Sequence, residues 1–202
     1  MIPAAAFGAS FGVLAVAAGM GKLAPIVMSA TTFAGSGQFA AASILDEGGA
    51  VAAAIAAAVL LNSRYAPIGL SVAPLFHGPP WRRLLEAQLI VDESWALSNR
   101  GEGHFDRGVL LGAGLVLYPC WVLSTTLGVL AGDLIGDPEQ LGLDAAFPAL
   151  FLALLVPLLR SRTAVAAALG GAAVALALVP FTPAGVPIIA AAAVCLIGLR
   201  QW

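Results

Sequence analysis

Three groups of polar residues interrupt stretches of sequence that are otherwise apolar. They are Gly35-Ser36-Gly37-Gln38, Asn62-Ser63-Arg64-Tyr65, and the acidic pair Asp92 and Glu93. A charged side chain at the centre of a bilayer costs roughly 2.5–3.5 kcal/mol on insertion scales, so it normally faces a cavity and has a partner. A guanidinium binds carboxylates, and a carboxylate binds an amine or carries a proton. These residue types therefore favour recognition of a small charged molecule.

The first group predicts a broken helix. Two glycines flank Ser36 and precede Gln38 inside the apolar run 23–45. Unwound backbone at membrane depth is tolerated where it is buried in protein or lines a wet cavity. Each half-helix then presents free backbone groups and a dipole end, an arrangement that secondary transporters use to bind substrates. The alternative interpretation is a glycine kink that serves only helix packing.

The second and third groups supply the charges. Arg64 lies about midway along the run 49–73, where its fork suits a substrate carboxylate or an internal acid. Asp92 and Glu93 are about 100° apart on a helix, so one can face the bundle while the other faces water. Either acid is a candidate for proton coupling or for the partner of Arg64. The alternatives are an interfacial arginine at the end of a shorter helix, and acids on the wet face of an interfacial helix.

Other irregular features favour structural roles. Tyr118-Pro119-Cys120-Trp121 predicts a kinked helix, which packing or hinge motion explains as well as binding does. Glycines four residues apart let helix backbones approach closely in lipid. Such pairs occur at Gly8/Gly12, Gly108/Gly112 and Gly128/Gly132.

The composition indicates which elements position these residues. Of 202 residues, 60% are apolar and 10% are charged, whereas soluble domains are roughly 45–50% apolar and about 25% charged. The sequence predicts an all-α, polytopic transmembrane helix bundle of seven or eight membrane segments, with at least one broken or re-entrant helix. We expect residues 1–202 to form one integral membrane domain. The predicted segments are 2–20, 23–45, 49–73, 81–99, 108–132, 144–159, 163–179 and 184–199.

The number of crossings depends on the weak segment 81–99. If this segment lies along the membrane or dips into it, almost all lysines and arginines fall on one side. The positive-inside rule then favours seven crossings with an external N-terminus. If the segment crosses, there are eight crossings and both termini are inside.

Several function classes are not supported by the residues. The chain has no Gly-rich phosphate loop followed by lysine, no clustered Cys and His, and no evident Ser/His/Asp grouping. We therefore expect no cofactor, no metal and no enzymatic activity. A net charge of −2 offers no basic surface for nucleic acid. The expected surroundings are a lipid bilayer.

Five motifs together resemble the AzlC family, the large subunits of branched-chain amino acid exporters. They are FGASFG at 7–12, FAGSGQFA at 33–40, LNSRY at 61–65, DES at 92–94 and FPALFLALL at 147–155. The resemblance implies export of valine, leucine, isoleucine and sometimes methionine across the bacterial inner membrane. It also implies a small AzlD-like membrane subunit and use of the proton-motive force. Members typically begin with a basic cytoplasmic segment, which would hold the start of the first span inside.

The working hypothesis is alternating access around a site near mid-membrane. Gly35, Ser36, Gly37 and Gln38 would hydrogen-bond the head of a hydrophobic amino acid, and Arg64 would bind its carboxylate. Asn62 and Tyr65 would line the cavity, while Asp92 or Glu93 would meet the ammonium or carry the coupling proton. Two alternatives stay open: a channel or transporter for another small solute, and a structural or assembly subunit of a membrane complex.

Overall fold

The computed structural model describes residues 2–101, 103–135, 152, 155–156, 159, 161–182 and 186–191, and these are mostly helical. The first half contains α1 (Ile2–Ala17), α2 (Leu23–Thr31), α3 (Gly35–Asp46), α4 (Val51–Asn62) and α5 (Tyr65–Val72), followed by the 3-10 turn Ala73–Leu75. The second half contains α6 (Pro80–Ala87), α7 (Asp92–Ser98), α8 (Arg107–Ile135) and α9 (Arg162–Leu178). A short antiparallel hairpin, β1 (Asn99–Gly101) and β2 (His104–Phe105), precedes α8.

Two stretches of the described chain are helical, long and apolar enough to cross a membrane. They are Val51–Leu75, which comprises α4, α5 and the 3-10 turn, and Arg107–Gly132 within α8. The shorter apolar helices α1 and α9 add to this pattern. The predicted segments 144–159 and 184–199 lie mostly outside the described residues, so the count of seven or eight stays a prediction.

Helices α1 and α8 pack closely through glycines. A Cβ atom added at Gly8 would collide with Ser124, and one at Gly12 would collide with the backbone of Thr125 and Val129. A Cβ at Gly128 would collide with the carbonyl group of Ala9. The predicted role in close helix packing is therefore confirmed for these three glycines.

The predicted glycine pair Gly108/Gly112 does not pack against another helix. Within the described chain, no atom lies within 4 Å of a Cβ built at Gly112, and this residue borders a cavity instead. The neighbour of Gly108 is the carboxylate of Asp106 just before the helix, not another helix. The spacing alone could not distinguish a packed glycine from one that leaves space.

The predicted break in the run 23–45 is present, but it lies at residues 32–34, immediately before the glycines. Helix α2 ends at Thr31, and Gly35-Ser36-Gly37-Gln38 form the first turn of α3. The change of direction occurs at Phe33, whose φ of 43° lies in the left-handed region that non-glycine residues rarely adopt. The side chain of Gln38 accepts a hydrogen bond from the backbone N–H of Ala34, which satisfies one donor at the break.

The weak segment 81–99 forms two short helices, α6 and α7, rather than one. A helix of eight residues is about 12 Å long, far less than the roughly 30 Å of a hydrocarbon core. The Ser94 hydroxyl accepts from the N–H of Val91 and donates to the carbonyl group of Leu89, so it stabilises the break. No single described helix therefore crosses at this segment.

Asp106 caps the start of α8. Its carboxylate accepts a hydrogen bond from the N–H of Val109 at 3.0 Å and another from Arg100 at 3.2 Å. These two hydrogen bonds lower the pKa of Asp106, and the one from the Val109 N–H has the larger effect. The ionised form is thus the one that stabilises the first turn of the helix.

We expect Asp106→Ala to increase hydrogen exchange of the backbone amides at the start of α8, because the cap is lost. In the parent chain the capping contribution is complete above about pH 4, the ordinary carboxyl value. It disappears as the pH falls through the lowered pKa of the folded state. Asp106→Ser should keep the cap but lose this pH dependence. Equal hydrogen-exchange rates of these amides in Asp106→Ala and the parent chain would contradict the capping role of Asp106.

Candidate binding site

A cavity of about 640 Å³ lies beside the break between α2 and α3. Its wall is formed by α1, α8, α7 and the first residues of α3 and α5. Part of the wall is polar and carries Ser36, Arg64, Tyr65, Asp92 and Glu93. Much of the remaining wall is apolar and includes Phe7, Leu117 and Trp121. A cavity of this size with a few convergent polar groups is typical of small-molecule sites.

An ion pair occupies the polar wall. Nη2 of Arg64 lies 2.7 Å from Oδ2 of Asp92 and donates a hydrogen bond to Oγ of Ser36 at 2.9 Å. The hydroxyl of Tyr65 lies 3.5 Å from the same carboxylate oxygen. The Arg64 and Asp92 side chains are 33% and 31% exposed, so both remain accessible from the cavity. Asp92 is thus the ion-pair partner of Arg64, and its predicted role in proton coupling stays a prediction.

Arg64 retains capacity to bind a further group. Its Nε is buried and has no hydrogen-bond partner within the described part of the chain. An unsatisfied buried donor costs about 1–3 kcal/mol. A ligand that brings an acceptor to this guanidinium would satisfy this donor.

A turn inside a helical span positions Arg64. Helix α4 ends at Asn62, residues 63 and 64 form the turn, and α5 begins at Tyr65. The alternative interpretation is an interfacial arginine at the end of a shorter helix. Helix α4 does end just before Arg64, but the chain continues as a helix within the candidate span Val51–Leu75. Arg64 consequently lies between two half-helices and pairs with an acid from α7.

Gln38 does not line this cavity, and its predicted contact with the substrate stays a prediction. Its side chain is fully buried, and its Nε2 donates to Oγ of Ser29 at 2.8 Å. Its Oε1 accepts from Nε1 of Trp121 at 3.1 Å and from the N–H of Ala34 at 3.3 Å. The Gln38 amide thus connects α2, α3 and α8 by hydrogen bonds. It stabilises the cavity wall without being part of its surface.

The two predicted glycines face different neighbours. A Cβ at Gly35 would lie 2.9 Å from Cη2 of Trp121, so Gly35 lets the indole ring lie against α3 at the cavity wall. A Cβ at Gly37 would lie 2.8 Å from Oδ1 of Asn62, so Gly37 packs against α4 instead. Gly37 and Asn62 do not line the first cavity, and their predicted contact with the substrate stays a prediction.

Asn62 lines a second cavity of about 490 Å³. This cavity is bordered by the end of α2, the Asn62 side chain, part of α5 and the link between α6 and α7. Phe33 and Tyr65 border both cavities, so their side chains contribute to the wall that separates them. The ring of Phe33 packs edge-on against Tyr118, with the ring centroids 5.2 Å apart.

Several polar residues whose contacts were not predicted from the sequence stabilise the break. Tyr118 donates to the carbonyl oxygen of Ala30, and Gln88 donates to the carbonyl oxygens of Ala30 and Thr31. Ser29 contacts Thr125 at 3.0 Å between their hydroxyl oxygens. The available signal was polar residues inside apolar runs, but the partners are far apart in sequence and the pairing was not readable.

Among the described residues, no group of three or more His, Cys, Asp or Glu side chains lies close enough to hold a metal ion. The site therefore offers an ion pair, a hydroxyl and apolar surface. A wall of this kind is suited to a polar molecule that also carries an apolar part.

These features define a helical protein with membrane-length apolar helices and a charged site set among them. The family model described as AzlC protein matches residues 1–135, and the chain belongs to the AzlC family. It is a membrane protein of that family.

Three relatives illustrate the range of similarity. A protein of Archaeoglobus fulgidus named "Uncharacterized membrane protein" is 35% identical over 193 residues, which cover 91% of this chain and 81% of that protein. A Helicobacter pylori protein with the same name is 26% identical, with 74% of this chain and 66% of that protein covered. The "Branched-chain amino acid transport protein AzlC" of Bacillus subtilis is 25% identical, with 74% and 59% covered. No solved structure matches the chain.

Proposed function

We propose that this chain transports branched-chain amino acids out of the cell and that the cavity holding Arg64 and Asp92 is the substrate site. The observation that carries the proposal is the pairing of opposite charges on the wall of a largely apolar cavity. A zwitterion with an aliphatic side chain matches both parts of this wall. The name of the Bacillus subtilis relative supports the same substrate class.

Binding would exchange one ion pair for two. The substrate carboxylate would take the guanidinium of Arg64, including its unpartnered Nε, and Asp92 or Glu93 would receive the ammonium. Because the substrate has no net charge, the site keeps its own balance of charge throughout. This matters at membrane depth, where an uncompensated charge is costly. Ser36 would remain hydrogen-bonded to Arg64 and hold it in place.

The two cavities support alternating access. Phe33 and Tyr65 border both, and Tyr65 also contacts the carboxylate of Asp92. Release of Asp92 from Arg64, by substrate or by protonation, would free Tyr65 to move. Proton coupling through Asp92 or Glu93 and assembly with a small AzlD-like subunit in the inner membrane complete the proposal.

Export of labelled valine from proteoliposomes tests this proposal. The protein should be reconstituted alone and with an AzlD-like subunit, with an imposed pH gradient present or absent. We expect flux that unlabelled leucine and isoleucine inhibit and that collapses with the gradient. Flux that aliphatic amino acids do not inhibit would contradict the substrate, and flux that ignores the gradient would contradict proton coupling. If site substitutions change only the yield of complex and not the flux per complex, the chain is an assembly subunit.

A further inference from the structure

The segment Tyr118-Pro119-Cys120-Trp121 of α8 contacts both sides of the helix break. The Tyr118 hydroxyl donates to the carbonyl oxygen of Ala30 near the end of α2, at 2.8 Å. Nε1 of Trp121 donates to Gln38 in the first turn of α3, at 3.1 Å. Residues three apart on a helix share a face, so one turn of α8 fixes the ends of both half-helices.

The indole ring of Trp121 is held in one orientation. Its N–H is bound to an amide that is itself fully buried and anchored to Ser29. Its opposite, benzo edge lies against Gly35, where even a methyl group would come within 2.9 Å of Cη2. The indole is 9% exposed and borders the cavity. It is therefore a rigid part of the wall, in contrast to a flexible aliphatic side chain.

The ring lies close to the charged part of the site. Gly35 packs against Trp121, and the next residue, Ser36, accepts a hydrogen bond from Arg64. The indole of Trp121 and the guanidinium of Arg64 thus contact consecutive residues, Gly35 and Ser36, in the first turn of α3. A ligand whose carboxylate is bound at Arg64 would place its side chain within reach of the indole.

We infer that Trp121 is the specificity-determining residue of this cavity and limits the size of the side chain that it accepts. The inference rests on the proposed function and names the surface that selects aliphatic over aromatic amino acids. Phe7 and Leu117, which pack against the same apolar cluster as the indole, supply the softer part of this subsite. A rigid indole excludes a phenyl ring because neither the hydrogen bond to Gln38 nor the contact with Gly35 allows it to turn away.

Competition binding tests this inference. Purified full-length protein is loaded with labelled leucine, which is displaced by unlabelled leucine or phenylalanine, and the ratio of the two displacement constants is compared between variants. Trp121→Leu should shift the ratio towards phenylalanine by at least about tenfold, since one methylene in an apolar pocket already changes selectivity by about 10–200-fold. Trp121→Phe is a smaller change that should leave the protein folded if Trp121→Leu does not. It should shift the ratio in the same direction by a smaller factor.

Trp95→Leu is the matched control. The indole of Trp95 also donates a hydrogen bond, to Ser71, but it does not border the first cavity. We expect its ratio to equal that of the parent chain. An unchanged ratio in both Trp121 variants, with leucine still bound, would overturn the inference while leaving the proposed function intact. A parent chain that binds no leucine would overturn both.

Discussion

Transport by the Arg64→Ala variant is expected to fall by about 10- to 100-fold. The substitution removes the group that would bind the substrate carboxylate and leaves Asp92 facing the cavity without its 2.7 Å partner. Hydrogen bonds to charged groups contribute about 1.5–3 kcal/mol, and about 2.8 kcal/mol corresponds to a 100-fold change in a binding constant. The measurement is flux of labelled valine per reconstituted protein, normalised to the amount that elutes as a single species.

Two further variants separate binding from folding. Arg64→Gln combined with Asp92→Asn removes both charges together, so it should restore the yield of folded protein but not transport. Arg100→Ala is the matched control, because Arg100 also forms an ion pair, with Asp106, but lies outside the cavity. Transport of Arg64→Ala at the rate of Arg100→Ala would place the substrate elsewhere.

The largest effect on stability is expected for Gly128→Ala. The added methyl group would collide with the backbone of Ala9, and a backbone inside a helix cannot move aside as a flexible side chain can. Overpacking of a closely packed core costs about 1–3 kcal/mol, and we expect this substitution to reach the upper end. For a chain of this size, that corresponds to a fall of at least about 6 °C in melting temperature.

Gly132→Ala provides the matched control on the same helix. The nearest atoms to its added methyl group belong to Val16, at 3.7 Å, which is ordinary van der Waals contact. Its melting temperature should equal that of the parent chain or rise by a few degrees, because replacing a glycine inside a helix by alanine stabilises the helix by about 0.5–1 kcal/mol where the methyl group fits. Equal melting temperatures for Gly128→Ala and Gly132→Ala would show that α1 and α8 do not meet as described.

The sequence predicted the kinds of residue at the site better than their arrangement. Ser36, Arg64 and Asp92 are visible because polar side chains are costly in lipid, and the structure brings these three together. The position of the break was three residues wrong. Glycines favour unwinding, but here the strain is taken by Phe33, and the glycines instead permit close contacts with Trp121 and Asn62.

Two further features of the site were not readable from a local sequence pattern. Gln38 and Trp121 are 83 positions apart, so no local pattern indicated that the amide is used inside the protein. Asn62 and Arg64 border different cavities because residues two apart on a helix point about 200° apart, which the hypothesis of one shared site does not take into account. The roles of the site residues in binding, and the partner subunit, stay predictions.

Complementarity between the Arg64–Asp92 pair and a zwitterion can be examined by competition with two leucine analogues that each lack one charge. Labelled leucine bound to the full-length protein is challenged with leucine, with 3-methylbutylamine, which lacks the carboxylate, and with 4-methylpentanoate, which lacks the amine. We expect leucine to displace the label at least about tenfold better than either analogue, because each leaves Arg64 or Asp92 without a partner and hydrogen bonds to charged groups contribute about 1.5–3 kcal/mol. Displacement by either analogue as effective as that by leucine would contradict a site built on this ion pair.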